Sequence, residues 1–284
     1  MRIQARERPL ADIARGRRLL ACNQHNSQHF RCRLCGDTLS HRGEIMIEAI
    51  LPADVAAVDT FDDPPDAVLL PGEEQIIGSS VEKRRREFIT ARHCARLALA
   101  RIGVPPTPIL SGESREPLWP SGVVGAITHC AGYRGVVVAP SSRVTTVGID
   151  AEPNEPLTNG VLEAVALPDE RIHVAELLEA RPEIRWDRML FSAKESVYKS
   201  WFPLARRWLD FEDAVVTMRP GSAGALAGDF EARLLVTGPR VDGKRVTGFT
   251  GRWLVDHGLI LTAIVVPVAV STGPSHTRVS VDAR

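Results

Sequence analysis

VGIDAEP, residues 147–153, ends a strand-like run that begins at residue 144. Side chains at positions i and i+2 of a strand point to the same face, so Asp150 and Glu152 can present two carboxylates together. Such oxygen ligands suit Mg²⁺, which keeps several waters and accepts phosphate oxygens from a substrate. Gly148 indicates a close approach of another part of the backbone. Two acidic side chains at a strand end can equally be exposed to solvent without binding a metal, so this segment alone does not decide between the two possibilities.

A second segment, FSAKESVYK, covers residues 191–199 and has the periodicity of an amphipathic helix. Its apolar side is formed by Trp186, Leu190, Val197 and Trp201, and its other side by Lys194, Glu195 and Lys199. Glu195 and Lys199 are four residues apart and can form an ordinary surface ion pair. Alternatively, a carboxylate beside two ammonium groups suits deprotonation of a nucleophile next to a polyphosphate.

The pattern of elements along the chain predicts an α+β fold. Before a joint at residues 140–142, we expect a first strand at 46–52, a loop at 59–72, a helix at 81–99 and strands at 125–129 and 134–139. After it, we expect a strand at 144–149, helical stretches near 160–180 and 186–202, and strands near 211–218, 230–237, 246–255 and 259–266. The chain thus divides into two α+β halves, 46–143 and 144–270, followed by a flexible tail at 271–284.

Composition limits the function classes. The formal net charge of zero combines a balance of +5 in residues 1–45 with −5 in the remainder, which argues against a general nucleic-acid binder. No apolar run approaches the roughly 20 residues that span a bilayer, and no secretory signal is present. Five sparse cysteines fit a reducing compartment. We therefore expect a cytoplasmic protein that binds neither nucleic acid nor membrane.

The first 45 residues lack helical or strand periodicity and contain few large apolar side chains. We expect a disordered leader, or an upstream extension of a protein whose fold begins near Met46. The leader also contains Cys32 and Cys35, with Cys22 and several histidines nearby, so a zinc module is an alternative. A second alternative is a nucleic-acid-binding protein that uses this basic Cys/His leader.

Together, the two segments resemble the paired signature of surfactin-type 4′-phosphopantetheinyl transferases. GIDAE at 148–152 is followed some 40 residues later by FSAKESVYK. GAITHC at 125–130 is similar to that family's Ser/Thr-His segment, and EPLWP at 116–120 to its preceding loop. The resemblance extends from about residue 46 to 267. It is closest to the branch of the enterobactin synthase component and the actinobacterial carrier-protein activators.

The resemblance implies a monomer of two similar α+β halves related by a pseudo-twofold axis, with coenzyme A and Mg²⁺ between them. The implied activity is transfer of 4′-phosphopantetheine from coenzyme A to a serine of apo carrier proteins, with release of 3′,5′-ADP. These carriers serve polyketide, nonribosomal-peptide or fatty-acid synthesis, and hence siderophore and lipid biosynthesis. Which carriers are served, and whether Mg²⁺ or Mn²⁺ is used, stays open.

The resemblance also implies roles for individual residues. Asp150, Glu152 and Glu195 would ligate the metal, and Glu195 would alternatively act as the base. Lys199 would neutralise the pyrophosphate, with support from Lys194. Phosphate contacts are implied for Thr128, His129, Arg84 and Arg92. Relatives tend to have a lysine where this chain has Ser111, and Arg115 could substitute for it.

Other readings have less support in the residues. A nucleotide hydrolase would need a phosphate loop of the GxxxxGK[ST] kind, which the sequence lacks. A thiol catalyst could be sought in His129-Cys130, but neighbours on a strand point to opposite faces. Arg206-Arg207-Trp208, after the second segment, is our candidate docking surface for acidic carrier proteins.

Overall fold

The computed structural model describes residues 46–78, 80–130 and 132–269. The expectations for the leader and the tail, including the zinc module, lie outside these residues. Within the described ranges, no helix is long and apolar enough to cross a membrane.

The N-terminal part, residues 46–140, is a three-stranded antiparallel sheet covered by one long helix. Its elements are a 3₁₀ turn Met46–Ile50, β1 Ala56–Thr60, the short α1 Glu74–Ile77, α2 Glu82–Arg101, β2 Val123–Cys130 and β3 Tyr133–Pro140. The strand order is β1-β3-β2. Small residues of α2, such as Ala95 and Ala98, pack against Val136 and Val138, so the helix lies close to the sheet.

The C-terminal part, residues 144–269, is a five-stranded antiparallel sheet of order β4-β10-β9-β6-β5. Its helices are α3 Val161–Val165, α4 Pro168–Ala180 and α5 Trp186–Ala205, followed by a 3₁₀ turn Phe211–Asp213. Its strands are β4 Val144–Pro153, β5 Ala214–Pro220, β6 Ala227–Leu234, β9 Gly248–Asp256 and β10 Leu259–Pro267, with a small hairpin of β7 Arg240–Val241 and β8 Lys244–Arg245.

Strand β4 lies between two hydrophobic cores. On one side, α5 packs on the five-stranded sheet, where the rings of Trp186 and Trp253 meet edge-on at 5.2 Å. On the other side, Ile149 joins a core with Ile47 and Val137 from the N-terminal part. Because β4 is covered on both faces, polar side chains on it are held away from bulk water.

The α+β class predicted from the sequence is confirmed, and most elements lie where the periodicity placed them. The predicted first strand at 46–52 is wrong: residues Met46–Ile50 form a 3₁₀ turn that buries Met46, Ile47 and Ile50. The Ile47 amide donates to Asp59 Oδ2 at 3.2 Å. The actual first strand, β1, was not predicted, and β4 extends beyond residue 149 to include both acidic residues.

Candidate active site

Strand β4 and helix α5 form one continuous contact, which we call the β4–α5 interface. Every second residue of β4 from 146 to 152 faces α5. The four contacts are Thr146 with Ser200, Gly148 with Ser196, Asp150 with Lys199, and Glu152 with Arg188. The partners run from Ser200, opposite the start of β4, to Arg188, opposite its end, so the two elements run in opposite directions. The two sequence motifs are therefore the two sides of a single interface.

Gly148 allows this close approach. A Cβ on Gly148 would lie 2.2 Å from the Ser196 carbonyl oxygen and 2.8 Å from the Ser200 backbone nitrogen. The Thr146 hydroxyl donates to the Ser200 carbonyl at 2.9 Å. The close backbone approach predicted from Gly148 is confirmed.

Asp150 lies where β2, β4 and α5 meet, and its side chain is 3% exposed. Its Oδ1 accepts hydrogen bonds from Lys199 Nζ at 2.7 Å and from the Thr128 hydroxyl at 3.2 Å. Lys199 also donates to the Ile149 carbonyl at 2.9 Å, while Thr128 accepts from the Ala151 amide at 3.0 Å. The N-terminal part thus contributes Thr128 directly to the acidic motif.

The second carboxylate oxygen of Asp150 has unmet hydrogen-bonding capacity. Oδ2 is buried and receives no hydrogen bond from the described part of the chain. Leaving a buried acceptor unsatisfied costs free energy, and it is exceptional in folded proteins. A hard cation accepts electron density from an oxygen of this kind, so this atom fits Mg²⁺.

The three expected metal ligands do not form a ready cluster. Among the described residues, no group of three or more His, Cys, Asp or Glu side chains could hold a metal ion. Glu152 is paired with Arg188, whose Nη1 lies 3.1 Å from Oε2. Glu195 is 8% exposed and lies one turn before Lys199 on α5. Asp150 is thus the carboxylate whose environment fits a cation most clearly.

Arg188 was not identified from the sequence. Besides Glu152, it donates to the carbonyls of Glu155 at 3.2 Å and Pro156 at 2.8 Å. It therefore holds the end of β4 and the following loop against the first turn of α5. Its position seven residues before Glu195 is a helical repeat that could have revealed it.

A buried set of hydroxyls, also missed, joins α5 to β10. Thr262 lies opposite Asp150 in the sheet, and its Oγ1 lies 2.9 Å from Ser192 Oγ and 2.7 Å from Ser196 Oγ. All three hydroxyl-bearing residues are fully buried. The four-residue spacing of these serines was the available signal, and the hydrogen bonds fix the position of α5 along the sheet.

Lys194 lies apart from this group. Its ammonium donates to the carbonyls of Phe211 at 2.7 Å and Ala214 at 3.0 Å, and it pairs with Glu170 at 2.8 Å. Its side chain is 2% exposed. Burial lowers the pKa of Lys194, although Glu170 opposes this shift. The sequence placed Lys194 with Lys199 on one side of the helix, opposite the apolar face, but in the structure the two lysines contact different elements.

Arg84 and His129 meet at the edge of the N-terminal part. Arg84 Nη1 lies 2.9 Å from His129 Nε2, and Glu87 Oε2 lies 3.7 Å from the same nitrogen. Strand alternation turns His129 toward α2, while Thr128 faces Asp150. These two neighbours, expected together at phosphates, therefore face different elements.

Arg92 is buried below the loop that begins at Ser111. Its Nε donates to the Ile109 carbonyl at 2.8 Å, and its Nη2 lies 3.5 Å from Ser111 Oγ. Burial, with Arg84 and Arg96 nearby, lowers the pKa of Arg92 to about 10. Arg115 is exposed, with a left-handed φ of 66°. We call Arg84, Arg92, Ser111 and His129 the α2–β2 group.

The two cysteines in the described part of the chain, Cys94 and Cys130, do not have the properties of a nucleophile. Burial, with help from Glu152 and Asp150, raises the pKa of Cys130 to about 12. Burial likewise raises the pKa of Cys94 to about 11. Since the thiolate is the reactive form, both residues are inert near neutral pH.

Comparison with known proteins identifies the family. Residues 72–139 match the model of the 4′-phosphopantetheinyl transferase N-terminal domain, and residues 146–242 match the 4′-phosphopantetheinyl transferase superfamily. The 4′-phosphopantetheinyl transferase PptT of Mycobacterium tuberculosis is 51% identical over 225 residues, covering 78% of this chain and 98% of PptT. Svp of Streptomyces mobaraensis is 49% identical over 230 residues, covering 80% and 92%. Enterobactin synthase component D of Salmonella typhi is 33% identical over 140 residues, covering 48% and 56%. The resemblance read from the motifs is confirmed: the chain belongs to the 4′-phosphopantetheinyl transferases and is a transferase enzyme.

Proposed function

We propose that this enzyme transfers 4′-phosphopantetheine from coenzyme A to a serine of apo acyl or peptidyl carrier proteins, releasing 3′,5′-ADP. The carriers belong to polyketide, nonribosomal-peptide or fatty-acid synthesis. One observation carries the site assignment. Asp150 is fixed by Lys199 and Thr128 through one oxygen and has an unsatisfied second oxygen, at the meeting point of both parts of the chain.

Charge accumulates on phosphate oxygens during this reaction. The serine oxygen bonds to the β-phosphorus of coenzyme A, the bond from that phosphorus to the leaving 3′,5′-ADP oxygen breaks, and the serine proton must be removed. Lys199 lies close enough to Asp150 to stabilise negative charge beside it. Glu195, one turn earlier on α5, is our candidate for the base.

Mg²⁺ would be held by Asp150 through Oδ2, with Glu195 and Glu152 as further ligands. When bound, the ion would neutralise charge on the pyrophosphate. The Asp150 Oδ2, which receives no hydrogen bond from the described residues, supports this assignment. Arg188 would compete for Glu152, so we assign Glu152 a weaker part in holding the ion.

The α2–β2 group would bind the adenosine side of coenzyme A. Arg84 is exposed and adjacent to His129, so both can contact phosphate. Arg92 would support Ser111 and its loop from below. Exposed Arg115 would supply the charge that relatives take from a lysine. Thr128 would act on phosphate indirectly, by holding Asp150.

The carrier would dock beside the end of α5. Arg206 is 64% exposed, and the partly buried rings of Tyr198, Phe202 and Trp208 cluster next to it. Arg207 donates to the Thr237 carbonyl and stacks over Trp201, whereas Arg206 makes a surface ion pair with Glu116 at 3.1 Å that an acidic partner could replace. Arg206 is therefore the better candidate for an acidic partner. Arg206→Glu should raise KM for the carrier and leave KM for coenzyme A unchanged. Arg219→Glu, at a 62% exposed site on β5, is the matched control and should change neither.

The reaction itself is tested by incubation with coenzyme A, Mg²⁺ and apo carrier domains. We expect a carrier mass increase of one phosphopantetheine, which Asp150→Ala abolishes. No increase with any of several carrier types would overturn the proposal.

Deleting residues 1–45 should leave transfer unimpaired, whereas a nucleic-acid-binding role of the leader predicts loss of function. A cytoplasmic, monomeric enzyme is part of the same proposal.

A further inference from the structure

The two lysines of the α5 motif have different environments. Lys194 and Lys199 are five residues apart, a helical rotation of about 140°. Lys199 reaches Asp150, and its side chain is 22% exposed. Lys194 is 2% exposed and points toward α4 and the start of β5. The motif therefore supplies one cation to the site and one to the interior.

The interior cation has a complete set of partners. Lys194 has three donors, and the Phe211 carbonyl, the Ala214 carbonyl and Glu170 accept them. Glu170 also accepts the amides of Leu167 and Val216, both at 2.7 Å. The Glu170 side chain is 1% exposed. This ion pair ties α5 to the first turn of α4 and to β5.

Because its three partners hold it in place, Lys194 restricts the rotation of α5 and therefore the direction of the next residue, Glu195. Lys199 can reach Asp150 on β4 only at one rotation of α5 about its axis, and that rotation also sets the direction of Glu195, one turn earlier. The β4–α5 interface restrains that rotation from one side, and the Lys194–Glu170 pair restrains it from another. Lys194 cannot reach a phosphate beside Asp150 without giving up all three of its buried partners.

We propose that Lys194 is a positioning residue that, with Glu170, sets the orientation of Glu195 and Lys199 for phosphopantetheine transfer, an inference that depends on the function proposed above. Removing one member of a buried ion pair leaves the other charge uncompensated, whereas removing both is often tolerated. A lysine that contacts phosphate behaves differently, because no second substitution can restore the activity lost when it is removed. This contrast separates the two roles.

The experiment compares Lys194→Met, Glu170→Gln and the double variant, with Lys199→Met as the reference for a phosphate contact. Thermal unfolding gives stability, calorimetry gives the Kd of coenzyme A, and carrier modification gives kcat. We expect both single variants to lose stability and kcat, and the double variant to have a kcat at least about tenfold above either. The Kd of coenzyme A should rise clearly in Lys199→Met. In the two single variants, which keep Lys199, it should rise less, and in the double variant it should return toward the wild-type value.

Several results would overturn the proposal. One is a folded double variant as inactive as Lys194→Met. Another is a loss of coenzyme A affinity in Lys194→Met as large as in Lys199→Met. If Lys194→Met does not fold, Glu170→Gln decides, because it retains the lysine: normal kcat would refute a positioning role. Failure of the double variant to regain folding would also refute it. If the wild-type protein transferred nothing, the proposed function would be refuted instead. The stability measurements would still be valid, because they do not require activity.

Discussion

The β4–α5 interface and the α2–β2 group hold their functional side chains in different ways. In the interface, Asp150, Glu152 and Lys199 each have a charged or hydroxyl partner within 3.2 Å. In the α2–β2 group, Arg84 is exposed, and Arg92 reaches Ser111 only at 3.5 Å. The first region joins β4 to α5 through short contacts. The second combines Arg92, which is buried and held by the Ile109 carbonyl at 2.8 Å, with Arg84 at an exposed edge. This difference suits a transferase, since reacting groups require fixed geometry, whereas an exposed cation can adapt to a charged ligand.

The largest effect should follow a change at Asp150. Asp150→Ala removes the Oδ2 atom proposed to bind Mg²⁺ and leaves Lys199 without its carboxylate partner. We therefore expect kcat to fall by at least about 10²-fold. Asp150→Asn is the matched control: it keeps the shape and an acceptor for Lys199 but not the charge. It should fold like the wild type and remain inactive. Carrier mass spectrometry and Mg²⁺ titration by calorimetry measure both effects, and an active Asp150→Asn would contradict the assigned role.

The next prediction separates distortion of the interface from general overpacking. Gly148→Ala places a Cβ 2.2 Å from the Ser196 carbonyl, which forces α5 away from β4. We expect a loss of about 1–3 kcal/mol in the free energy of unfolding, together with most of the activity. In Gly125→Ala, the Cβ meets the Val137 carbonyl at 2.7 Å in the N-terminal part.

Gly125→Ala serves as the control for Gly148→Ala. It should destabilise the protein to a similar degree but retain more activity below its unfolding temperature. Urea unfolding and transfer assays on both variants give the comparison. Equal losses of activity at equal stability would mean that the separation of α5 from β4 has no special importance.

The same contrast explains what the sequence could predict. Strand alternation correctly placed Asp150 and Glu152 on one face, because that rule depends only on local backbone geometry. Helical periodicity correctly located α5, but it placed Lys194 and Lys199 on one polar side. The structure buries Lys194 against Glu170, 24 residues earlier in the chain.

What stayed hidden from the sequence depends on contacts between distant elements. Glu195 and Lys199 have the spacing of a local ion pair, yet Lys199 is bound to Asp150, 49 residues away. Ser192 and Ser196 look like ordinary helix residues until β10 brings Thr262 to them. The 3₁₀ turn at Met46–Ile50 has strand-like composition, and burial against the second face of β4 determines its conformation.

A smaller effect is expected in the α2–β2 group. Arg84→Ala should raise KM for coenzyme A by about tenfold, the loss of roughly one hydrogen bond to a charged group, with kcat little changed. The effect should weaken as salt is added, because Arg84 is exposed. Arg86→Ala, at a 52% exposed position two residues along α2, is the control. A fall in kcat with KM unchanged would place Arg84 with the reacting groups instead.

The smallest effect should follow removal of the thiol of Cys130, the last residue of β2. Cys130→Ala should retain wild-type activity, because burial keeps the Cys130 pKa at about 12 and the thiol stays protonated at neutral pH. Relative to a thiol at the ordinary value of 9.0, its thiolate fraction at pH 8 is lower by roughly 10³-fold. Alkylation by iodoacetamide, followed by peptide mass spectrometry, should therefore show slow modification of Cys130 that accelerates only at much higher pH. Rapid alkylation at pH 8 would contradict the raised pKa of Cys130, and an inactive but normally stable Cys130→Ala would restore the thiol-catalyst hypothesis.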